Sequence, residues 1–287
     1  MIRRIVAGVL MVTLLAGGGV PQAQARGTGA KTAVAMTRPL GRLGPLLNIR
    51  QSWNNCGPAS VAEVLDYWGI PRTQGAVAAV LRADGDPRGM APFGIPAYAR
   101  TVGLRSLLGV YGTPRLLKAL VSNGFPVIVN QWISMYDHYR HYRPIEAYDD
   151  HQGVFVSSDP YLGPDHRLTY ADFAAMWKVS NQRFTVLYPP AKEGMLQAVL
   201  ASAGWDRARA LQRDLANMEA RLRGEGPSEP SWGLNPHMYP YLNLAWDDLQ
   251  LGHYAAARAA LRAAAAAGAH PLVVQWVTNE MPSAPES

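Results

Sequence analysis

The order of the secondary-structure patterns along the chain predicts an α+β fold followed by an all-α region. Amphipathic helical patterns come first, and strand-like segments rich in β-branched residues follow them. Beyond the double proline at residues 189–190, every periodic segment is helical. With 287 residues, 48% of them apolar, the chain has room for one large domain, and the break at the double proline favours two.

The first 25 residues have the three regions of a secretory signal peptide. Arg3 and Arg4 precede an apolar stretch at residues 5–15, and the small-residue cleavage site Ala-Gln-Ala follows at residues 23–25. A membrane anchor would need about 20 apolar residues. We therefore expect a cleaved signal, a periplasmic or secreted protein without a stable membrane span, and an extended lead-in over residues 26–44.

The first half of the domain is predicted to be helical. The spacing i, i+3, i+4, i+7 predicts a helix over residues 59–68, carried by Val61, Val64, Leu65 and Trp68. Gly69 and Pro71 end this helix, and Thr73 caps a second short one. A third helix is predicted over residues 96–104.

The middle of the chain is predicted to form an antiparallel sheet interrupted by two helices, since short polar turns separate its strand-like segments. The predicted helices are 114–124 and 169–178, and the predicted strands are 126–133, 141–150, 153–160 and 183–188.

Beyond residue 190 we expect helices that bind or position a protein partner. Residues 191–223 are helix-forming, 224–240 form a Pro/Gly-rich linker, and 243–271 resemble one tetratricopeptide repeat. The positions that match the repeat are Leu244, Ala245, Gly252, Tyr254, Ala257 and Leu261. An ordinary Ala-rich helical hairpin is the alternative. The predicted divisions are 1–25, 26–44, 45–190, 191–280 and a tail at 281–287.

The charge pattern argues against nucleic acid as a partner. The net charge of +6 falls to +4 without Arg3 and Arg4, and no long basic run is present. No phosphate-binding loop or dinucleotide fingerprint appears, so we expect no cofactor. A metal site built from His138, His141 and His151 is the alternative to catalysis, but the spacing of the first two fits a helix better than a strand. We therefore expect no metal.

Cys56 is the only cysteine of the chain, and it lies in the stretch QSWNNCGPAS at residues 51–60. An exported protein cannot pair a lone thiol within its own chain. This thiol comes just before a helical pattern, where the unpaired N–H groups of a helix N-terminus lower the pKa of a cysteine. Position and compartment together predict a nucleophile.

The groups that would activate this thiol lie on predicted strands further along the chain. His141 and Asp159 belong to neighbouring strands, which can bring their side chains together on one face. A histidine oriented by a carboxylate is the arrangement that activates a nucleophile. Gln51, with the backbone N–H of Cys56, is the candidate donor to an oxyanion.

These residues resemble cysteine peptidase family thirty-nine, the bacteriocin-processing (double-glycine-leader) peptidases and their stand-alone relatives. The similarity rests on Q-x4-C-G-P-A-S, on a histidine opening a strand that ends in Y-D-D, and on a later strand ending in D-P-Y. It covers residues 45–190 and implies a papain-like fold. It also implies Cys56 as nucleophile, His141 as general base and acid, Asp159 as orienting group and Gln51 as oxyanion donor.

The segment around His141 departs from the family pattern, which commonly has a glycine before the histidine and a smooth apolar strand after it. This chain has Arg140 before it and Arg143, Pro144 and Glu146 after it. His138 is the alternative base. His151 and His166 are predicted to lie in exposed turns.

Three functions follow from these patterns. The first is an exported thiol peptidase that hydrolyses a peptide or protein substrate. The second is a catalytically silent papain-like adaptor that binds a peptide. The third, a membrane-associated processor of bacteriocin leaders, fits poorly because the sequence contains no transporter segments.

Overall fold

The structure is a computed structural model that describes residues 37–82, 89–225 and 235–283. The predicted signal peptide, most of the lead-in, the centre of the predicted linker and most of the tail lie outside the described residues. Within the described part, none of the helices has the length and apolar character needed to cross a bilayer.

An antiparallel sheet forms the centre of the described part of the chain. Its strands run in the order β2-β7-β3-β4-β5-β6, and β1 pairs with the far end of β4. The strands are β1 Leu40–Arg42, β2 Arg105–Gly109, β3 Val127–Trp132, β4 Arg140–Asp149, β5 Val154–Asp159, β6 Gly163–Thr169 and β7 Phe184–Tyr188.

Among the described residues, three helices precede the main run of strands, two interrupt it and five follow it. They are α1 Cys56–Tyr67, α2 Gln74–Leu81, α3 Ile95–Thr101, α4 Pro114–Ser122, α5 Tyr170–Lys178, α6 Glu193–Ala203, α7 Arg207–Leu222, α8 Met238–Leu251, α9 Tyr254–Ala266 and α10 Pro271–Asn279. This arrangement confirms the predicted α+β class with helices C-terminal to the sheet.

Apolar side chains cover both faces of the sheet. Alternate residues of a strand point to opposite faces, and on β3 Val127 and Val129 belong to one apolar cluster while Ile128 belongs to the other. The cluster that contains Val127 is completed by α4, α5 and α6. The cluster that contains Ile128 is completed by α1 to α3 together with α8 to α10.

The C-terminal helices complete the core that the first helices begin. The ring of Trp246 on α8 lies 5.6 Å, centroid to centroid, from that of Phe93. Trp276 on α10 packs so closely on Gly94 that a Cβ atom there would lie 2.8 Å from its ring. The helices therefore pack directly on the peptidase-like part, and a separate helical domain or tetratricopeptide repeat stays a prediction.

Several elements differ from the sequence prediction. β2 was not predicted, since Arg105–Gly109 shows no clear alternation, and β6 was missed because an edge strand with one exposed face needs few apolar residues. β1 lies inside the predicted extended lead-in. The predicted helical segment 191–223 is two helices, because Gly204 has a left-handed conformation that ends α6.

Candidate active site

The thiol of Cys56 lies on the first residue of α1, three residues before the predicted helix start. Asn55 precedes it, but its side chain does not cap the helix. The Asn55 amide instead donates to Ser52 and accepts from Arg82, at 2.7 and 2.8 Å. The N-terminal N–H groups of α1 are thus left for the thiol that lies beside them.

The close approach of the Met90 side chain explains why a glycine follows the cysteine. A Cβ atom on Gly57 would lie 2.7 Å from the end of the Met90 side chain and 2.9 Å from its Cβ. The carbonyl of Met90 accepts a hydrogen bond from the Tyr142 hydroxyl at 3.2 Å. The loop that carries Met90 is therefore fixed against both α1 and β4 beside the thiol.

His141 and Asp159 are brought together by the pairing of β4 with β5. Nε2 of His141 lies 3.0 Å from Oδ1 of Asp159, and both side chains are buried. A carboxylate only accepts hydrogen bonds, so Nε2 carries the proton in this contact. The other ring nitrogen, Nδ1, is left for the thiol of Cys56, with which His141 shares a side-chain hydrogen bond.

The carboxylate of Asp159 is surrounded by donors and positive charge. Besides His141, its Oδ1 accepts the backbone N–H groups of Tyr161 and Leu162, each at 2.8 Å. Its Oδ2 lies 3.0 Å from Nε of Arg143, which is fully buried. Burial raises the pKa of this carboxyl, but the hydrogen bond from His141 and the charges of His141 and Arg143 outweigh burial and hold the pKa far below its usual value.

The thiol and imidazole shift toward an ion pair. Burial raises the pKa of Cys56, but the hydrogen bond and charge of His141 and the N–H groups of Tyr142 and Gly57 bring it below the usual value. Burial lowers the pKa of His141, but Asp159 and Cys56 outweigh it and raise this pKa. Such opposite shifts favour a thiolate beside an imidazolium.

Gln51 is attached to the same end of the sheet. Its backbone N–H donates to the carbonyl of Pro160 at 2.8 Å, directly after Asp159. Its side-chain Oε1 is buried and accepts no hydrogen bond from a described residue. The structure thus places the four predicted site residues on α1, its preceding loop, β4 and β5.

A buried carboxyl on α1, Glu63, was missed by sequence reasoning. Its Oε1 accepts the N–H of Ile49 at 2.8 Å, and the hydroxyl of Ser158 is its other polar neighbour among the described residues. Burial raises its pKa to about 8, and the negative charge of nearby Asp159 adds to this rise. Glutamate inside an otherwise apolar helical stripe was the available signal.

The other histidines considered in the sequence analysis lie away from the contact between His141 and Asp159. His138 is exposed and stacks on Trp132, with ring centroids 3.7 Å apart. His151 lies in an exposed turn, as predicted. The prediction for His166 was wrong, because it lies half-buried on β6, opposite Ser157. In the described part of the chain, no three His, Cys, Asp or Glu side chains converge as a metal site would require.

The charged residues after His141 lie within a buried strand. Pro144 is opposite Ile128 of β3, and Arg143 is opposite Val129. At Glu146 the pairing of β4 with β5 shifts by one residue, and its side chain bonds Arg42 of β1 at 3.1 Å. The bulge and the pairing with β1 allow a segment with charged residues and a proline to form a buried strand.

The structure combines an antiparallel sheet, a helix that begins with a cysteine, and a histidine on a strand beside that cysteine. This combination defines the papain-like cysteine peptidase type of fold. Residues 45–184 match the model of the Peptidase_C39 like family. This match confirms the resemblance to cysteine peptidase family thirty-nine that the sequence indicates. No curated protein matches the chain significantly.

Three solved structures are similar to half of this chain. A double-glycine-motif protease from an AMS/PCAT transporter, in complex with its leader peptide, is 20% identical over 52% of this chain and 94% of its own, with a TM-score of 0.41. The peptidase domain of Streptococcus ComA, a bifunctional ABC transporter, is 19% identical over 50% and 98%, with a TM-score of 0.42. A C39-like peptidase from Bacillus anthracis is 15% identical over 52% and 96%, with a TM-score of 0.45.

Proposed function

We propose that this protein is an exported cysteine peptidase that hydrolyses peptide bonds with Cys56 as nucleophile, His141 as base and acid, and Asp159 as orienting group. The observation that carries the proposal is the His141–Asp159 contact at 3.0 Å, joined to a thiol at the open N-terminus of α1. The match of residues 45–184 to the Peptidase_C39 like family supports the same class of reaction.

In the first half of the reaction, the Cys56 thiolate attacks the carbonyl carbon of the scissile bond and forms a C–S bond. The carbonyl oxygen becomes an oxyanion, for which the backbone N–H of Cys56 and the side-chain amide of Gln51 are the donors. When the C–N bond breaks, the imidazolium of His141 gives its proton to the leaving nitrogen. The product is a thioester and a free amine.

In the second half, water attacks the thioester while neutral His141 accepts its proton. The C–S bond breaks, the acid product leaves, and the thiolate–imidazolium pair is restored. Asp159 accepts the N–H of His141 throughout and does not exchange a proton, because its donors keep it ionised.

Export and a partner for the C-terminal helices are further parts of this proposal. Export is supported by the pattern of residues 1–25. N-terminal sequencing of the exported protein should start at Arg26, and a retained Met1 would contradict export. The helical partner is supported only by the similarity of residues 243–271 to a tetratricopeptide repeat.

The deciding experiment measures both thiolate formation and hydrolysis. Iodoacetamide should alkylate Cys56 readily at pH 6, where a free cysteine with a pKa of about 8.5 is mostly protonated. Cys56→Ala should abolish cleavage of a peptide library by the full chain, with little change in melting temperature. His141→Ala should abolish cleavage and slow alkylation at pH 6 to the rate of a free thiol.

His138→Ala is the matched control, because this exposed histidine lies three residues away in the same hairpin. It should leave both readouts unchanged. If the folded wild type alkylates slowly at pH 6 and His141→Ala changes nothing, the peptidase proposal fails. The silent peptide-binding adaptor would then be the better description.

A further inference from the structure

The Arg143 side chain is a buried cation that the proposed chemistry does not use. It lies two residues after His141 on β4, so both side chains point to the same side of the strand. It is completely buried, and its Nη2 donates to the carbonyl of Ile133 at 2.7 Å. Its Nη1 has no hydrogen-bond partner among the described residues.

The one ion-pair partner of Arg143 in the described structure is Asp159. Nε lies 3.0 Å from Oδ2, although the N–H does not point at the oxygen well enough for a hydrogen bond. The contact is therefore mainly an attraction of charges. Oδ1 accepts hydrogen bonds from His141 and from two backbone N–H groups, whereas Oδ2 faces Arg143.

Filling the core does not explain an arginine at this position. Taking a guanidinium out of water costs several kcal/mol, and replacing a buried ion pair by apolar side chains is often neutral or stabilising. A valine or leucine would occupy a buried strand position without that cost. The observed side chain instead provides positive charge at the one carboxylate that holds the imidazole.

We propose that Arg143 is a positioning residue that holds Asp159 ionised and in the orientation that His141 requires, extending the Cys56–His141–Asp159 arrangement by one member. This inference rests on the proposed peptidase function. Arg143 forms no bond to the substrate in the proposed steps. Its ion pair is with Asp159, and its charge also interacts with that of Cys56.

Several titratable groups face Asp159 and bear on any measurement of pH dependence. His141 and Arg143 lie on β4, Glu63 lies on α1 and His166 lies on β6. Glu63 titrates near pH 8, so a window from pH 4 to 7 avoids it. Since Arg143 itself lowers the pKa of His166, all variants are also compared in a His166→Asn background.

The test compares Arg143→Met with Arg143→Lys in the full chain. Without the cation, Oδ2 of Asp159 loses its charged partner and the Cys56 thiolate loses a nearby positive charge, so the acid limb of iodoacetamide alkylation should move to higher pH. The kcat for peptide cleavage should fall by up to about 100-fold with little change in KM, because a shifted imidazole misplaces the reacting groups. Arg143→Lys should restore the acid limb and part of kcat.

Arg183→Met is the matched control, since Arg183 is another buried arginine that faces an aspartate, Asp214. It should leave the acid limb unchanged. A folded Arg143→Met with the wild-type acid limb would overturn the inference. So would an Arg143→Lys variant that is no better than Arg143→Met.

A double variant covers the case in which Arg143→Met does not fold. Asp159→Asn combined with Arg143→Met removes both charges, and its kcat, measured at a pH above the acid limb, should be no lower than that of Asp159→Asn alone. An additional loss in the double variant would show that Arg143 acts independently of Asp159. If the wild type itself lacks a reactive thiolate at pH 6, the peptidase proposal fails first.

Discussion

Two buried aspartates, one in the candidate site and one among the C-terminal helices, have opposite ionisation. Asp159 receives three hydrogen bonds on one oxygen and an arginine on the other, and its pKa lies far below the usual value. Asp247 on α8 receives none from a described residue on either oxygen. Burial, and then the neighbouring carboxyl of Asp214, raise its pKa well above the usual value.

The comparison shows that burial alone does not decide the charge of a carboxyl. Both aspartates are completely buried, and an arginine lies in each cluster. The difference lies in how many donors point at the carboxyl and in whether a second carboxyl lies beside it. Glu63 is intermediate, with one backbone donor and a pKa of about 8.

The largest effect is expected for Asp159→Asn. It removes the negative charge beside completely buried Arg143, and breaking a buried pair from one side costs about 3–5 kcal/mol. A group with a lowered folded pKa stabilises above its unfolded pKa and loses that effect as the pH falls. The stability difference between variant and wild type, measured by urea unfolding, should therefore stay constant from pH 7 to about pH 5 and shrink as the pH falls below the unfolded value near 3.8.

Peptide cleavage by Asp159→Asn should also fall by about 100-fold or more, because an amide can hold the wrong tautomer of the imidazole. A variant as stable and as active as the wild type would mean that the Asp159 cluster does not depend on charge.

A smaller effect of opposite sign is expected for Glu63→Gln. The folded pKa of about 8 exceeds the reference value of 4.5, so the folded protein binds the extra proton and wild-type stability falls as the pH rises from 4.5 to 8. At about 1.4 kcal/mol per pKa unit, the variant should gain a few kcal/mol at pH 8.5.

At pH 4.5 the two proteins should unfold at nearly the same urea concentration. Asp66→Asn, on the same helix and only half-buried, is the matched variant for the loss of a carboxylate from α1. If the stability of Glu63→Gln and that of the wild type depended on pH in the same way, Glu63 would be ionised in the folded protein, as Asp159 is.

The smallest effect is expected for Asp247→Asn. Because the folded pKa is raised, the wild type loses stability as the pH rises above the unfolded value near 3.8. The asparagine variant should therefore be more stable than the wild type at pH 8. Thermal unfolding at pH 5 and pH 8 measures this, and a destabilised variant at pH 8 would contradict the protonated state.

Much of this contrast could not be read from the sequence. The lone cysteine in its turn and the order of histidine and aspartate strands suffice to propose Cys56, His141 and Asp159, because those residue types carry the chemistry. The burial of Arg143 and Glu63 depends on contacts between residues far apart in the chain, and charged residues in local patterns indicate exposure. β6 escaped prediction because its polar edge lacks the alternation on which strand prediction depends.

The packing of Trp276 on Gly94 has a consequence for the timing of folding. The apolar cluster beside the thiol-bearing helix is closed by helices from the last part of the chain. A chain that emerges N-terminus first cannot complete that core until its final helix is released, and contacts between distant segments form slowly. We expect the wall of the core beside α1 to stay open during synthesis until α10 has been made, and the thiol to reach its final surroundings only then.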